Sequence, residues 1–400
     1  MPTRATKRGD ERRPLSGSCD VLICGASFAG LAVARELTGS GAEVMVVDRY
    51  EIGERATSAC GIPTDWLQAM GLMAAERQRF DSLLVHTPYG TRRYRLPWTF
   101  STFDYRELCA LLWADCDARF ETAKVNGRAA QSNGNGVIAV DTDRGVLSAP
   151  LVVDALGWRR VLASGESYQP PDAPLSRGIE VHPPGRSMEF EIWIDRRYVR
   201  AGYCWSFPAG DEVRIGVGSL DPRFPLREPV ELLAEDLGRD LVHYQGGYIP
   251  HKLRPATEAG VFFVGDSAGH CMPLTAEGIR PALYYGIALG RELRGVVEGR
   301  QSRAQAAARY VDFAGVHAWK FRWLLRGQRM LPHVPPRLLG PAIRLLGWNR
   351  RLVYWIFGHY MRFAPPGLAC PSPGRRQRPD EEGRNGKELR RPLREADKVG

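Results

Sequence analysis

The first fifty residues alternate short apolar runs with glycine turns. Residues 20–24 have the pattern of a buried strand, and a helical spacing of apolar residues follows the turn at 25–30. A second apolar run, residues 43–47, ends at Asp48. A strand, a tight turn, a helix and a strand within about 30 residues are the opening of a Rossmann unit. The pattern therefore predicts an α/β domain with a parallel sheet at the start of the chain.

A different pattern fills residues 176–219. Short runs rich in β-branched and aromatic residues are separated there by Pro, Gly and Asp, which is typical of antiparallel strands. Buried strands are predicted on either side, at 151–153 and 260–264, and a helical pattern covers 278–293. We therefore predict an α/β fold in which a Rossmann-type domain is interleaved with an antiparallel β-sheet domain and followed by a C-terminal helical region.

The predicted boundaries follow these changes of pattern. The segment beyond residue 302 is helical and is expected to break at Pro332, Pro335, Pro336 and Pro341. After Pro365 the content of Pro, Gly and alternating charge predicts a disordered tail. The predicted ranges are 18–83, 101–165 and 255–300 for the discontinuous Rossmann-type domain, 84–100 and 166–254 for the β-sheet domain, 301–365 for the helical region and 366–400 for the tail.

Composition excludes several classes of protein. The 400 residues are 44% apolar and 25% charged, enough for a sizeable core. The eight cysteines form no CxxC pair, so we expect no zinc ribbon, iron–sulfur insert or other metal site. No apolar run reaches the roughly 18 residues of a membrane-spanning helix, and no secretory signal pattern is present. We therefore expect a cytoplasmic protein.

Positive charge is concentrated near the C-terminus. The net charge is +10, and Tyr310 to Phe363 contains nine Lys or Arg against Asp312 alone, together with four of the ten tryptophans. This local basicity argues against nucleic-acid binding, which favours a basic face spread over a binding fold. Arginines interleaved with Trp and Tyr suit anionic headgroups. The prediction is peripheral contact with the inner face of the membrane through residues 310–363; the alternative is a packed helical cap with a solvated charged face.

The glycine turn departs from the GxGxxG pattern at its middle position, which is Ser27. Gly25 permits the tight turn, Gly30 lets the helix approach the strand, and the helix N-terminus can bind a diphosphate. Asp48 is placed to accept the ribose hydroxyls of a dinucleotide. The alternative is an ordinary strand-to-helix turn. The residues predicted to bind a dinucleotide here are Gly25, Ser27, Phe28, Ala29, Gly30, Asp48 and Arg49.

A second constellation lies at residues 260–279. The run GVFFVGDSAGHCMPLTAEGI resembles the second flavin signature of the geranylgeranyl reductase family, among flavoproteins built like aromatic hydroxylases. The resemblance implies that Asp266 bonds the ribityl chain of FAD and that Gly265 and Pro273 belong to the same site. It also implies that the amides of Gly278 and Ile279, at a helix N-terminus, face the flavin N1 and C2 carbonyl.

Further matches to that family occur in the same order along the chain. The resemblance implies that Arg106 reaches the FAD diphosphate, the alternative being a solvated helix charge. It places Asp154 in a third motif, although Ala155 and Leu156 here separate the aspartate from its glycine. The pair Cys60-Gly61 is expected near the flavin, the alternative being a structural cysteine.

The pattern YxWxFP at residues 203–208, followed by Gly216 and Gly218, also matches the reductase family. In that family the motif lies on the substrate sheet facing the flavin, whereas core aromatics on a strand are the alternative reading. The residues predicted to bind substrate are Trp193, Tyr203, Trp205 and Phe207. The predicted catalytic residues are Cys60, Tyr203 and Trp205.

The resemblance implies an FAD-dependent enzyme that reduces C=C bonds of an isoprenoid or other hydrophobic substrate by hydride transfer from flavin N5. One alternative is an FAD-dependent monooxygenase. A halogenase of the tryptophan type needs an early lysine, and none lies between Lys7 and Lys124. Another alternative is a non-catalytic prenyl-lipid carrier, for which Ser27 argues. The electron donor, whether NADPH, NADH or ferredoxin, and any redox partner are left open.

Overall fold

A computed structural model describes residues 13–56, 58–129, 136–163 and 175–369. The strands in these ranges are β1 (Gly17–Ser18), β2 (Val21–Cys24), β3 (Val44–Asp48), β4 (Gly61–Pro63), β5 (Glu76–Thr87), β6 (Gly90–Phe103), β7 (Arg119–Thr122), β8 (Val125–Arg128), β9 (Ile138–Thr142), β10 (Gly145–Ala149), β11 (Leu151–Asp154), β12 (Leu175–Val181), β13 (Glu191–Trp193), β14 (Gly202–Pro208), β15 (Val213–Ser219), β16 (Gln245–Pro250), β17 (Thr257–Glu258) and β18 (Val261–Phe263).

The helices of the described residues lie between these strands and after them. The α-helices are α1 (Phe28–Leu37), α2 (Thr64–Met70), α3 (Tyr105–Ala114), α4 (Arg227–Asp236), α5 (Ile279–Val297), α6 (Arg303–Gly315), α7 (Ala318–Met330), α8 (Pro336–Leu346) and α9 (Arg350–Met361). Single 3₁₀ turns occur at Met73–Ala75, Gly265–Ala268, Leu331–His333 and Pro366–Ala369.

The predicted Rossmann-type sheet is present, with strand order β17-β18-β11-β2-β3-β7. Its strands are parallel except for the edge strand β17. The strands end together at one edge, where Cys24 of β2 is in register with Asp154 of β11 and Val47 of β3. Because ligands of such sheets bind beyond the carboxyl ends of the strands, Gly25, Asp48 and Gly265 lie at the edge where a site is expected.

A four-stranded sheet, β1-β10-β9-β8, packs against this domain. Apolar side chains of β9 and β10 form one buried cluster with those of β2 and β18. The other side of the parallel sheet is covered by α1 and α5, whose buried side chains make the largest core cluster. The helices α1 and α5 cover one face of the parallel sheet, and the four-stranded sheet covers the other. Neither covers the edge at which the parallel strands have their carboxyl ends.

The second predicted sheet has eight strands in the order β16-β12-β15-β14-β13-β5-β6-β4. It is wider than the predicted 84–100 and 166–254, because β5 and β6 form a long hairpin from Glu76 to Phe103. The start of β5 is half exposed and charged, so no apolar alternation marked it in the sequence. One face of the sheet is covered by α4 through Cys204, Ile215 and Val230. The opposite face carries the aromatic residues of the candidate site.

The region predicted as helical, 301–365, contains α6 to α9. The predicted break at Pro341 is wrong, because α8 continues through Pro341 to Leu346. The Tyr94 hydroxyl donates to the Ile343 carbonyl and Arg92 to that of Gly347, so contacts with β6 hold this helix despite the missing N–H. No helix of the described residues is long and apolar enough to span a bilayer.

The first four residues of the predicted disordered tail, 366–369, are structured. Pro366–Ala369 form a 3₁₀ turn, and Leu368 and Ala369 pack against the largest core cluster. The remainder of that prediction, 370–400, lies outside the described residues. Leu368 also accepts a hydrogen bond at its carbonyl from Arg291 of α5, at 2.8 Å. Residues 366–369 therefore pack against the helix that begins at the second glycine motif.

Candidate functional site

The first glycine turn can be built only with glycine at its two ends. Gly25 has φ +113°, and a Cβ there would lie 2.3 Å from the Ala155 carbonyl oxygen. A Cβ on Gly30 would lie 1.9 Å from the Gly25 carbonyl oxygen. Both contacts are far inside van der Waals range, so α1 starts as close to β2 as a backbone permits. This close approach places the N-terminus of α1 at the carboxyl edge of the sheet.

Ser27 occupies the N-cap position of α1 without capping it. Its backbone is extended and its side chain makes no capping hydrogen bond. Its Oγ instead accepts a hydrogen bond from the Tyr105 hydroxyl at 3.1 Å. The Phe28 ring packs edge-on against Tyr105, with the centroids 5.2 Å apart. Ser27 thus provides no side-chain acceptor for the first N–H groups of α1. These groups and their partial positive charge are suited to binding a diphosphate.

Asp48 ties the end of β3 to this turn. One carboxylate oxygen accepts the Ala26 N–H at 2.8 Å, and the other accepts the Tyr50 N–H at 3.0 Å. Burial raises the pKa of Asp48, and these amide bonds partly offset that rise. The neighbouring Arg49 guanidinium lies over the Tyr50 ring at 4.8 Å. Asp48 therefore holds the turn closed, while its contact with a ribose stays a prediction.

The two glycine motifs touch each other. Gly265 has φ +65°, and a Cβ there would lie 2.9 Å from the Ala29 Cβ. Further along α5, a Cβ on Gly286 would lie 2.8 Å from the Ala29 carbonyl oxygen. Glycines on α5 thus let the second motif lie directly against the first turn of α1. A single ligand that uses both motifs requires this arrangement.

The Asp266 carboxylate is the unsatisfied acceptor of the site. It accepts no hydrogen bond from the residues that the structure describes. Burial raises its pKa to about 6, and the charge of Arg254 only partly opposes that rise. A Cβ on Gly278 would lie 3.5 Å from Asp266 Oδ1, so the carboxylate faces the start of α5. A half-buried carboxylate that accepts no hydrogen bond from the described residues fits a hydroxyl-bearing ligand such as the ribityl chain of FAD.

The start of α5 is suited to a negative group. Its N-cap, Gly278, has no capping side chain, and its first turn has no acidic residue. The preceding loop holds Leu274 at φ +70° and Ala276 at φ +51°, both unusual for residues with a Cβ. Such strained backbone is typical of binding sites. No pattern in the sequence marks this strained loop apart from the resemblance.

Cys60 and Gly61 lie at the start of β4, an edge strand of the eight-stranded sheet. Cys60 is buried with φ +52°, and its thiol donates to the Ser58 carbonyl at 3.0 Å. Burial raises its pKa to about 12 against the opposing charge of Arg214, so the thiol is neutral at physiological pH. A Cβ on Gly61 would lie 2.5 Å from the Phe100 ring. The pair is thus packed on the aromatic side of the eight-stranded sheet.

Three predicted substrate residues share one face of β14. Tyr203 donates its hydroxyl proton to the Thr275 carbonyl at 2.5 Å, which joins the sheet to the α5 loop. The Trp205 ring lies on the bare backbone of Gly216, where a Cβ would be 2.1 Å from the indole. Phe207 stacks on Phe190 with centroids 4.1 Å apart. The face beside the second glycine motif is therefore aromatic.

Trp193 does not join them, because it lies on the opposite face of the sheet, and its role in binding substrate stays a prediction. It is paired in register with Cys204, so it points to the α4 side of the sheet. There it stacks on His86 with the centroids 4.6 Å apart. Because side chains alternate between faces with a period of two, the register with β14 decides the side.

Two predicted cofactor residues have protein contacts that the sequence did not indicate. Asp154 is fully buried, and its carboxylate accepts hydrogen bonds from the Leu156 and Leu162 amides and the Ser267 hydroxyl. It therefore holds the loop after β11, and direct contact with a flavin stays a prediction. Arg106 is exposed in the first turn of α3, where its backbone lies against Gly53.

Comparisons with known proteins agree with this geometry. A family profile described as lycopene cyclase protein matches residues 20–183. Digeranylgeranylglycerophospholipid reductase 3 of Methanosphaera stadtmanae is 23% identical over 75% of this chain and 83% of its own length. A second such reductase, from Methanothermobacter thermautotrophicus, is 25% identical over 66% of this chain and 74% of its own.

A solved structure extends the likeness to the fold. A geranylgeranyl bacteriochlorophyll reductase-like protein from Thermoplasma acidophilum superposes with a TM-score of 0.75 at 16% identity, over 88% of this chain and 98% of the other. The chain is thus similar in sequence and in fold to reductases of the geranylgeranyl type.

Sequence reasoning missed a buried polar cluster behind the aromatic face. Glu180 is buried and accepts hydrogen bonds from the Trp205 indole N–H at 3.1 Å and from Gln245 at 2.5 Å, and His182 lies 3.2 Å away. Burial would raise the pKa of Glu180, but His182, Gln245 and Arg214 bring it below its ordinary value. The Glu180 carboxylate therefore holds the Trp205 indole in position by accepting a hydrogen bond from its N–H. A lone acid within an apolar strand was its one signal in the sequence.

Asp266→Asn is expected to change stability and flavin affinity in opposite directions. The pKa of Asp266 is about 6 in the folded protein and ordinarily 3.8. The folded flavin-free protein therefore binds more protons between these values, and its stability falls by about 2 kcal/mol as pH rises from 4 to 6. Asparagine removes that loss at pH 7.5 but cannot replace the carboxylate acceptor. We expect a higher urea midpoint without flavin and weaker FAD binding.

Asp154→Asn is the matched control for this prediction. Its carboxylate is also buried, yet it already accepts three hydrogen bonds from the protein. An amide there replaces an acceptor by a donor, so the urea midpoint should fall. If the two variants shift the midpoint in the same direction, the unsatisfied state of Asp266 is contradicted.

Proposed function

We propose that this chain reduces carbon–carbon double bonds of an isoprenoid lipid with FAD. The names of the two archaeal relatives support a geranylgeranyl lipid as the substrate class. When bound, FAD supplies a hydride from N5 of its reduced ring. The observation that carries the proposal is the contact of Gly265 with Ala29 beside the unsatisfied Asp266 carboxylate. This contact between the two glycine motifs fits a long cofactor that both motifs bind at the same time.

The residues that would hold FAD divide by the part of the cofactor they suit. The turn from Gly25 to Gly30 and the start of α1 would bind the diphosphate, with Arg106 as the predicted counter-charge. Asp48 would accept the ribose hydroxyls, and Asp266 those of the ribityl chain. The amides of Gly278 and Ile279 would stabilise negative charge on the pyrimidine side of the ring.

The aromatic face would bind the hydrocarbon chain and exclude water. A row of rings continues from Trp205 through Phe207, Phe190 and Phe100 to Trp98, with successive centroids 4.1 to 6.3 Å apart. Isoprenoid chains are apolar and have π bonds, so they pack well on such a surface. A dry pocket also protects a reduced cofactor from side reactions.

Two groups on this face hold protons at neutral pH. Burial raises the pKa of the Tyr203 hydroxyl and of the Cys60 thiol. The Tyr203 hydroxyl donates a hydrogen bond to the Thr275 carbonyl, and the Cys60 thiol donates one to the Ser58 carbonyl. Saturating a double bond needs one proton for each hydride, and we propose these two residues, with Trp205 orienting the chain, as the predicted catalytic set. NADPH, NADH or ferredoxin as electron donor, a redox partner, and cytoplasmic location stay predictions.

The test is anaerobic reduction of a digeranylgeranylglycerophospholipid by the purified protein, with dithionite as the reductant that supplies two electrons for each double bond. We expect flavin absorbance in the protein and a product heavier by two hydrogens for each bond reduced. Protein without flavin, or oxygen consumption that depends on substrate and inserts oxygen, would overturn the reductase proposal. The second outcome would instead indicate a monooxygenase on the same fold.

Trp205→Leu is expected to lower the rate of this reduction at least about tenfold, because the ring that packs against the substrate is lost. Flavin absorbance should remain, since Trp205 lies on the sheet rather than in either glycine motif. Trp193→Leu is the control on the opposite face of the same sheet. Equal losses in the two variants would show that the face of the sheet has no bearing on substrate binding.

A further inference from the structure

The C-terminal helices expose an unusual number of large apolar side chains. Among the described residues sixteen such side chains are exposed, and eleven of them lie between residues 311 and 356. They are Val311, Val316, Trp319, Trp323, Met330, Leu338, Leu345, Trp348, Leu352, Trp355 and Ile356. Trp348 is 74% exposed and Trp323 is 62% exposed. Large apolar groups gathered on one part of a surface mark an interaction site.

The helix α7 carries its exposed residues as one stripe. Trp319, Trp323, Arg326 and Met330 are spaced by four, three and four positions, which places them on one side of the helix. All four are exposed, whereas Phe321 and Gln328 are buried. Only the side of α7 that carries Phe321 and Gln328 is thus packed against the rest of the described chain.

The helices α8 and α9 are apolar on two sides. On α9, Val353 and Phe357 pack against β5 and β6, while Leu352, Trp355 and Ile356 are exposed. On α8, Ile343 and Leu346 belong to the same buried cluster, while Leu338 and Leu345 are exposed. The outer side of each helix is therefore apolar without any role in packing the described chain.

Charge on this region has a single sign. Residues 313–369 contain nine Lys or Arg and no Asp or Glu. Arg322, Arg326 and Arg351 are exposed, and the Arg326 guanidinium lies over the Trp323 ring at 5.2 Å. Cationic groups beside tryptophans fit phosphate headgroups above an acyl layer. An anionic bilayer supplies negative headgroups as partners for these arginines and an apolar layer as the partner for the exposed apolar side chains.

The same helices close the aromatic face of the candidate site. Trp98, at the end of the aromatic row, stacks on Tyr360 and meets Phe357 edge-on, with centroids 5.9 and 5.8 Å away. Both partners belong to α9, whose outer side bears Trp355. The row of aromatic rings thus runs from the second glycine motif to the inner side of α9. The outer side of α9 is apolar and exposed.

We propose that the outer sides of α7, α8 and α9 dock on an anionic phospholipid bilayer, with the tryptophans at the level of the headgroups. The proposal rests on exposure and charge and stands whether or not the chain reduces a lipid. It identifies the residues that make the membrane contact predicted for 310–363. It also places that contact beside the aromatic row rather than across the molecule from it.

The test is flotation of the full-length protein with phosphatidylcholine vesicles and with vesicles that also contain phosphatidylglycerol. We expect binding to the anionic vesicles, weakening as salt is raised. Arg322→Gln with Arg351→Gln should weaken it about 25-fold, at about fivefold for each arginine near a membrane surface. Trp323→Ser with Trp355→Ser should abolish it. Brominated lipids should quench the tryptophan fluorescence of the bound wild-type protein.

Met188→Ser and Arg223→Gln are the matched controls, because both residues are exposed and lie outside the three helices. They should float as the wild type does, and circular dichroism should show all variants folded. Absence of flotation with anionic vesicles at low salt would overturn the proposal. So would equal losses in the control variants, or a lipid-free dimer that the Trp323 and Trp355 substitutions dissociate.

Discussion

Gly30→Ala is expected to abolish FAD binding and to lower the free energy of unfolding, although alanine normally stabilises a helix by about 1 kcal/mol over glycine. The sign is reversed because the new Cβ would lie 1.9 Å from the Gly25 carbonyl oxygen. Relieving that contact moves α1 away from β2 and opens the turn. We expect destabilisation of about 1–3 kcal/mol and a loss of FAD affinity of at least about 100-fold. Urea unfolding and fluorescence titration with FAD measure the two effects.

Gly358→Ala provides the control. Gly358 lies inside α9, and a Cβ there would meet nothing within 4 Å. The ordinary helix propensity should therefore prevail, with a gain of up to about 1 kcal/mol and unchanged FAD binding. If Gly30→Ala resembled Gly358→Ala, the close approach of α1 to β2 would not be what forms the site.

The parts of the site that could be predicted are those encoded within a few consecutive residues. The turn at Gly25 to Gly30 and the segment at Gly265 to Ile279 each combine a strand end, a required glycine and a helix start. That the two segments touch followed from the parallel sheet, since strands β2 and β18 end at one edge. Local pattern and general topology were sufficient for this much.

The parts that could not be predicted depend on register and on distant partners. The face of Trp193 is set by its pairing with Cys204, and one residue of shift would reverse it. Glu180 acts through Trp205 and Gln245, which lie 25 and 65 positions away. The extra length of β5 reflects pairing with β6 rather than apolar alternation. Such contacts leave no periodic trace in the sequence.

The largest change in stability is expected for Arg280→Met, at about 3–5 kcal/mol. The Arg280 side chain is buried, and its Nε and Nη2 donate to the two Glu277 carboxylate oxygens at 2.7 and 2.8 Å. Its Nη1 donates to the carbonyls of Tyr360, Met361 and Ala364. Removing the guanidinium leaves the Glu277 carboxylate without its charged partner and the Met361 carbonyl without this donor, while the Ala364 carbonyl keeps the Trp66 indole N–H. The urea midpoint of the apoprotein measures the loss.

Glu277→Gln with Arg280→Met should recover part of this loss, because no unpaired buried charge remains. Arg280→Lys should recover little, since an ammonium cannot reach the carboxylate and the three carbonyls at once. A loss below about 1 kcal/mol in the single variant would contradict a structural role for the pair. The end of α9 is joined through Arg280 to the first turn of α5, so the single variant should also weaken FAD binding. The helices proposed to dock on a membrane are thus fastened to the segment proposed to hold the flavin.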